Sequence, residues 1–114
     1  MNADLDYCYL TTRGRITGKP HEIEIWFALE GRTVYLLSGG SDRSDWVKNL
    51  RSTPEVTVRI DETTYSGQAR VVEGGDEDER ARSLLVEKYQ PRYSGDLQDW
   101  RKRGLPVAID LSES

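Results

Sequence analysis

Three cations lie close together in a glycine-containing segment near the start of the chain. Arg13, Arg15 and Lys19 have no acidic residue among or between them. Arginine presents a planar fork of N–H donors that matches phosphate and carboxylate oxygens, and Gly14 and Gly18 let the backbone approach an anion closely. The segment is therefore a candidate loop for binding an anionic ligand. A solvated hairpin loop, with its cations paired to Glu22, Glu24 or the acidic helix, is the alternative interpretation and the more common one for such a segment.

A second glycine-containing segment joins a predicted strand to a predicted helix. Ser38, Gly39 and Gly40 end the strand, and the helix begins shortly after them. The first turn of a helix has free N–H donors and the positive end of the helix dipole, so this junction is a candidate phosphate site. Asn49 adds a hydrogen-bonding group within the helix. Trp46 either stacks on a ligand ring or belongs to the apolar stripe of the helix, which is the more common role.

The chain has few groups for acid–base or nucleophilic chemistry. His21 is the only histidine, Cys8 is the only cysteine, and there is no Gly-x-Ser-x-Gly motif. One histidine and one cysteine also disfavour a zinc site, so no metal is predicted. Redox chemistry on a bound organic cofactor fits this inventory, because the cofactor then carries the reactive atom. No catalytic residue is assigned.

The chain as a whole is short and acidic. Its 114 residues predict a single domain over residues 1–114. A net charge of -4 disfavours nucleic acid as a partner, and the lack of an apolar run of about 18 residues disfavours a membrane span. The lone cysteine predicts a cytoplasmic protein without an internal disulfide. Only 36% of the residues are hydrophobic, which suggests that a partner chain completes the apolar surface.

Hydrophobic patterning predicts the element order β-β-β-α-β-β-α-α-β. The predicted strands cover residues 7–12, 21–29, 33–38, 55–60, 64–73 and 105–111. The predicted helices begin at Asp42 or Ser44, at residue 77, and after Ser94 or Asp96. The predicted fold class is therefore mainly β with helices (α+β), an antiparallel sheet or barrel with helices packed outside it.

Individual elements carry more detailed expectations. The strand at 21–29 alternates, which places one set of side chains on a single face: Ile23, Ile25, Phe27 and Leu29. Gly67 inside a strand predicts a bulge or a close backbone contact. Asp76, with Glu79 three residues later, predicts the N-cap of the second helix. That helix has an apolar face formed by Ala81, Leu84, Leu85 and Tyr89.

These motifs occur in an order that resembles the deazaflavin-dependent nitroreductase family. The matching positions are Thr11, Thr12, Gly14, Arg15, Gly18 and Pro20, then Gly39 and Gly40, then Trp46, Asn49, Leu50, Pro54 and Val56. The resemblance covers nearly the whole chain and is strongest over residues 9–60. Several spaced motifs in the right order make it fairly specific, although each motif alone would be weak.

The resemblance implies a split β-barrel like that of the flavin reductases and pyridoxamine-phosphate oxidases, and a homodimer. It implies coenzyme F420, whose tail bears a phosphate and glutamates, and hydride transfer to a quinone, nitro compound or enone. The implied cofactor-binding residues are Arg13, Arg15, Lys19, Ser38, Gly39, Gly40, Trp46 and Asn49. Of these, Arg15 and Lys19 would hold the anionic tail. Tyr89 and Tyr93 lie where family members place aromatic residues that contact the substrate.

The sequence departs from the family's pattern in one segment and at two positions. The stretch between Gly40 and Trp46 is shortened and lacks the family's usual proline. Ile16 stands where the family has a lysine, and His21 stands where it commonly has an arginine. Both changes remove a cation from the site predicted to hold the tail, and each lost charge-assisted contact is worth about 1.5–3 kcal/mol. FMN, which has one phosphate and no glutamate tail, is therefore an alternative cofactor. A non-catalytic protein that binds a flavin or deazaflavin is a second alternative.

Overall fold

The structure, a computed structural model, describes residues 1–112 as one antiparallel sheet with three helices. The strands are β1 (Cys8–Arg13), β2 (Pro20–Ile25), β3 (Ala28–Glu30), β4 (Thr33–Ser38), β5 (Glu55–Ile60), β6 (Thr63–Val71) and β7 (Leu105–Leu111). The helices are α1 (Asp45–Ser52), α2 (Gly75–Tyr89) and α3 (Gln98–Arg103). Single 3₁₀ turns lie at Ser41–Arg43 and Gln90–Arg92. The predicted order of elements is confirmed, with one strand divided in two.

The strand predicted over residues 21–29 is wrong in one respect, because it is interrupted at Trp26 and Phe27. β2 pairs with β1 on one side of the break, and β3 pairs with β4 on the other. The strand order is β2-β1-β5-β6-β7-β4-β3, so β2 and β3 form the two edges of the sheet. Since only two residues separate these edges along the chain, the sheet must curl until its edges meet, as in a barrel.

The alternation predicted for this region is confirmed on both sides of the break. Ile23, Ile25, Phe27 and Leu29 all belong to the apolar cluster inside the curled sheet, whereas Trp26 and Ala28 belong to a second cluster on its outer face. The inner cluster is built mainly from Leu10, Phe27, Val34, Leu36, Val47, Leu50, Val58, Ile60, Val107 and Ile109. The break thus changes the partner strand without changing which face each side chain occupies.

The helices cover different parts of the sheet. α1 packs against β1 and β6 and places Val47 and Leu50 in the inner cluster. α2 packs on the outer face of β3, β4 and β7, where its predicted apolar face is confirmed by the burial of Ala81, Leu85 and Tyr89. The outer face of β1, β2 and β5 is different, because its side chains are exposed or half-exposed and polar.

Two helix starts differ from the predicted caps. The side chain of Asp76 does not cap α2, because the helix already begins at Gly75, where two residues of positive φ (Gly74 and Gly75) turn the chain. The backbone N–H of Gly74 instead donates to Asp78 Oδ2 at 2.9 Å. At α3 the N-cap position is Leu97, and the predicted cap Asp96 lies one residue earlier, where its Oδ1 accepts a hydrogen bond from the backbone N–H of Gln98 at 3.0 Å.

Candidate functional site

A cleft of about 490 Å³ opens between the β1–β2 loop, the start of β2 and helix α1. It is lined by Thr12, Gly14, Arg15, Ile16, Thr17, His21, Glu22, Ile23, Asp45, Trp46 and Asn49. Its volume lies in the range usual for small-molecule sites. Three of the residues predicted to bind cofactor, Arg15, Trp46 and Asn49, are therefore brought to one site.

Asn49 ties the loop to the helix. Its side chain is 5% exposed, and its Oδ1 accepts from the backbone N–H of Arg15 at 3.2 Å and from Arg15 Nη1 at 2.8 Å. Its Nδ2 donates to Thr12 Oγ1 at 3.3 Å. These contacts fix both the backbone and the guanidinium of Arg15, whose Nη2 also lies 3.3 Å from Asp45 Oδ1.

The β1–β2 loop closes on itself at its base. The backbone N–H of Gly14 donates to Lys19 O at 2.8 Å, and that of Gly18 donates to Gly14 O at 2.8 Å. Gly18 has a φ of 73°, which a residue with a side chain rarely adopts. A Cβ on Gly14 would lie 2.7 Å from His21 Nε2, so the imidazole covers this glycine. The loop therefore needs both glycines to hold Arg15 and His21 beside the cleft.

The apolar walls of the cleft come from the helix, the strand and the loop. Trp46 is half-buried, packs partly against the inner cluster and lines the cleft, and its predicted contact with a ligand ring stays a prediction. Ile23 packs beside the same cluster. Ile16 is 87% exposed and lines the rim. The cleft thus combines an indole, two aliphatic side chains and one fixed guanidinium.

The other predicted cations lie outside this cleft. Arg13 lines a separate cleft of about 460 Å³ on the other side of β1, and its Nη1 donates to Gly18 O at 3.1 Å. Lys19 is exposed on the loop but does not line the cleft. Neighbouring residues along a strand point to opposite faces, which accounts for the separation of Arg13 from its neighbours in the cleft. Of the three predicted cations, only Arg15 lines the cleft together with Trp46.

The Ser38-Gly39-Gly40 turn lies at the end of β4 and is not among the residues that line the cleft. The buried hydroxyl of Ser38 donates to Ser41 O at 2.8 Å and lies 2.8 Å from Ser44 Oγ. A Cβ on Gly40 would lie 2.5 Å from Ser44 Oγ. These contacts hold the turn against the start of α1, and the predicted contacts of this turn with a cofactor remain predictions.

The two predicted substrate-binding tyrosines differ in environment. Tyr89 is 1% exposed and its ring stacks on Trp26 at 4.3 Å between centroids. Its hydroxyl accepts from the backbone N–H of Phe27 at 2.9 Å and donates to Asp6 O at 2.7 Å, and burial raises its pKa. Tyr93 is about half-exposed and meets the edge of Trp26. Burial favours a structural role for Tyr89, whereas Tyr93 is accessible to a ligand.

Titratable groups outside the cleft have shifted pKa values for structural reasons. Burial raises the pKa of the Cys8 thiol to about 12, so it stays protonated and unreactive at neutral pH. Burial lowers the pKa of Lys88 to about 8, with a further effect from Arg92. The Lys88 ammonium donates to Phe27 O at 2.8 Å and lies 3.7 Å from the centroid of the Phe27 ring. Neither group lines the cleft.

Asp45 and Glu22 are site residues that the sequence reasoning missed. Both are among the residues that line the cleft, and the Asp45 carboxylate lies 3.3 Å from Arg15 Nη2. Asp45 and Asn49 are four residues apart, so both lie on one side of α1, and this spacing was a usable signal. Glu22 had no such signal, because its position in the cleft depends on the register of β2 against β1.

Solved structures place this architecture in a known class. An F420-H2 dependent reductase, FDR-A, superposes with a TM-score of 0.74 at 24% identity, covering 94% of each chain. A structure described as a domain-swapped dimer gives a TM-score of 0.74 at 24% identity, covering 94% of this chain and 80% of that one. A putative pyridoxamine 5'-phosphate oxidase from Listeria innocua gives 0.68 at 17% identity, covering 96% and 86%. The fold is therefore a split β-barrel, as predicted.

The sequence places the chain more narrowly within that class. A sequence model of the F420H(2)-dependent quinone reductase family matches residues 2–112. The chain belongs to this family. It is therefore a deazaflavin-dependent reductase with F420 as its cofactor, which confirms the predicted family resemblance, cofactor and oxidoreductase activity and favours F420 over FMN. None of the helices in residues 1–112 has the length and apolar character to cross a membrane.

Proposed function

We propose that the cleft beside Arg15 and Trp46 binds F420 and that the acceptor is a quinone. When bound, reduced F420 supplies a hydride. The observation that carries the proposal is the placement of a fixed guanidinium and a partly exposed indole on the walls of one cleft of about 490 Å³. This donor set suits a ligand that combines a planar ring system with an anionic tail.

Arg15 is the anion-binding group of the cleft. Asn49 accepts one hydrogen bond from Arg15 Nη1, and Asp45 accepts one from Nη2. The guanidinium therefore keeps further N–H donors for ligand oxygens. Lys19 is exposed on the same loop, where it adds attraction for the distal part of the tail. In this arrangement the loop binds and orients the anionic end of the cofactor.

Trp46 and Ile23 serve the opposite end of the ligand. An indole that packs on one side against the inner cluster presents a rigid apolar surface to a planar ring. Contact with this wall excludes water from one face of the ring. Ile16 extends the apolar surface to the rim, where a weakly polar quinone would meet it. Quinone reduction then needs one further proton, which solvent at the open rim supplies.

Titration of the purified protein with F420, followed by cofactor fluorescence, tests the binding site. Replacing Arg15 by alanine removes a charge-assisted contact and should raise the dissociation constant about tenfold or more. Lys102→Ala makes the same change of charge on α3, away from the cleft, and should leave the constant within about twofold. Absence of binding to the unaltered protein at tens of micromolar F420 would contradict the proposal, as would displacement of F420 by an equal concentration of FMN.

We further propose that the protein is a cytoplasmic homodimer. The polar outer face of β1, β2 and β5 supports the dimer. Its side chains contact one another, but none of the three helices in residues 1–112 packs over this face, so a second copy can bind there. Tyr9 donates to Glu24 Oε2 at 2.7 Å, and the Arg59 guanidinium lies 4.2 Å from the centroid of the Tyr9 ring. The dimeric relative of the same fold supports the same assignment. The unpaired Cys8 suits a reducing compartment.

A further inference from the structure

Arg15 has two partners on α1 that differ sharply in exposure. Asn49 is 5% exposed, whereas the side chain of Asp45 is 85% exposed and that of Arg15 is 31% exposed. Both partners lie on one side of the helix, one turn apart. The guanidinium therefore lies between a buried neutral amide and a solvent-exposed carboxylate.

The contact with Asn49 is buried. Asn49 lies between Val47 and Leu50 on a helix whose apolar side is buried in the inner cluster, so its side chain is enclosed by the protein. Its Oδ1 accepts from Arg15 twice, at the backbone and at Nη1, while its Nδ2 donates to Thr12. Because the amide is neutral, it orients the guanidinium without cancelling its charge.

The contact with Asp45 is exchangeable. It consists of one Nη2–Oδ1 approach of 3.3 Å, at the long end of the range for a hydrogen bond. Exposed ion pairs of this kind are weak, because water competes for both charges and long side chains lose freedom in holding them. A carboxylate or phosphate entering the cleft carries the same type of oxygen to the same guanidinium.

We infer that Asp45 is a displaceable stand-in for the anionic group of the ligand and that Asn49 is a positioning residue that holds Arg15 while the exchange occurs. This inference rests on the proposed function, since the ligand that displaces Asp45 is the anionic tail of F420. Asp45 lowers the affinity for that tail in two ways. It competes for Nη2, and it repels a second negative charge close by.

A double-mutant cycle tests the exchange through the dissociation constant of F420, measured by fluorescence in low salt. Asp45→Asn removes the competing charge and should tighten binding by about two- to fivefold. In an Arg15→Ala background the same change should tighten binding clearly less, because only the repulsion of the tail is relieved and there is no guanidinium to release. Equal tightening in both backgrounds, or weaker binding by Asp45→Asn alone, would overturn the role of Asp45.

A second double-mutant cycle, between Asn49 and Arg15, tests whether Asn49 positions Arg15 or contacts the ligand itself. Asn49→Ala should weaken binding about as much as Arg15→Ala, and the double variant should be no weaker than either single one. Additive losses would mean that Asn49 contacts the ligand itself and would overturn its positioning role. Asn49→Asp keeps both acceptor contacts with Arg15 but adds a negative charge that offsets the guanidinium, so it should bind F420 no better than Asn49→Ala. Circular dichroism of both variants at the titration temperature checks that the losses do not come from unfolding. Tighter binding by Asn49→Asp than by Asn49→Ala would overturn the argument that the partner of Arg15 must be neutral.

A second readout distinguishes failure of this inference from failure of the proposed function. If the unaltered protein does not bind F420, the proposed function fails, and inorganic phosphate then serves as the probe. The Nε–H resonance of Arg15 in a ¹H–¹⁵N spectrum should shift on phosphate titration, at lower concentration in Asp45→Asn than in the unaltered protein. An Arg15 resonance with the same phosphate response in both proteins would overturn the inference.

Discussion

At the scale of single residues, Arg15 is held in the cleft by the neutral side-chain amide of Asn49 rather than by a buried charged group. Asn49 lies 34 residues from Arg15 along the chain, yet it accepts two hydrogen bonds from it. A buried amide with satisfied partners costs little, whereas a buried carboxylate at the same place would need a strong compensating pair. The neutral partner thus leaves the positive charge of Arg15 available to a ligand.

The contrast between Tyr89 and Tyr93 leads to a prediction about stability. Tyr89→Phe removes a hydroxyl that satisfies the buried N–H of Phe27 and should lower the free energy of unfolding by about 1–3 kcal/mol. Tyr93→Phe, at an exposed position, should change it by less than about 0.5 kcal/mol. Denaturant unfolding followed by circular dichroism measures both. A Tyr89→Phe protein of unchanged stability but raised KM for the acceptor would instead support the substrate contact implied by the family.

At the scale of elements, the hairpin of β1 and β2 and helix α1 form the cleft between them. The hairpin register sets Thr12 opposite His21, and the glycines of its loop allow the chain to turn back over Gly14. On the far side of the sheet, Arg70 joins α2 to β7 through Glu77 at 2.5 Å and Asp110 at 2.8 Å. The arginine lowers the pKa of both carboxyl groups, which remain charged at neutral pH.

The pairing of β6 with β7 requires a residue without a side chain at position 67. A Cβ on Gly67 would lie 2.7 Å from Ile109 Cγ2 and 3.1 Å from the carbonyl oxygen of Asp110. The close contact predicted for this glycine is therefore confirmed. Gly67→Ala should destabilise the protein by about 1–3 kcal/mol, because the strands must move apart.

The control for this substitution lies on the same strand. Ser66→Ala changes an exposed neighbour and should alter the midpoint of thermal unfolding little. Thermal unfolding followed by circular dichroism compares the two variants. Unfolding of Gly67→Ala at the same temperature as the unaltered protein would contradict the claim that β6 approaches β7 too closely at this position for a side chain.

At the scale of the whole molecule, closure of the barrel and the proposed dimer are linked. The chain covers the outer face of β3, β4 and β7 with its own helices, but it leaves polar, partly exposed side chains on β1, β2 and β5. The cleft opens beside β2, so a second copy on this face would lie close to the proposed cofactor site. That residues 1–114 form a single domain stays a prediction.

The dimer proposal predicts the effect of a charge reversal. Arg59→Glu sets a negative charge on the same outer face as Glu24, with Tyr9 between them, and should weaken association about tenfold or more, because like charges at an interface repel. Sedimentation velocity over a range of concentrations measures this association. Arg103→Glu, on α3 and away from this face, should leave it unchanged. A monomeric unaltered protein at about 100 µM would contradict the dimer.

Much of the fold was predictable because the signals are local. Alternating side chains identify β5, short continuous apolar runs identify β4 and β7, and the apolar spacing of Ala81, Leu85 and Tyr89 identifies α2. The interruption at Trp26 and Phe27 was not predictable. Both halves of that strand keep the same alternation, and the break exists only because the two halves pair with opposite edges of the sheet.

The sequence by itself determined the type of protein, since the basic loop, the glycine turn and the Trp46–Asn49 spacing occur in an order that indicates the family. Only the tertiary structure decided which of these residues act together. It separates Arg13 from Arg15 into two clefts and sets Asp45 against the guanidinium. The physical reason is that strand register and helix docking, which bring distant residues into contact, are set by burial across the whole sheet rather than by neighbours in the chain.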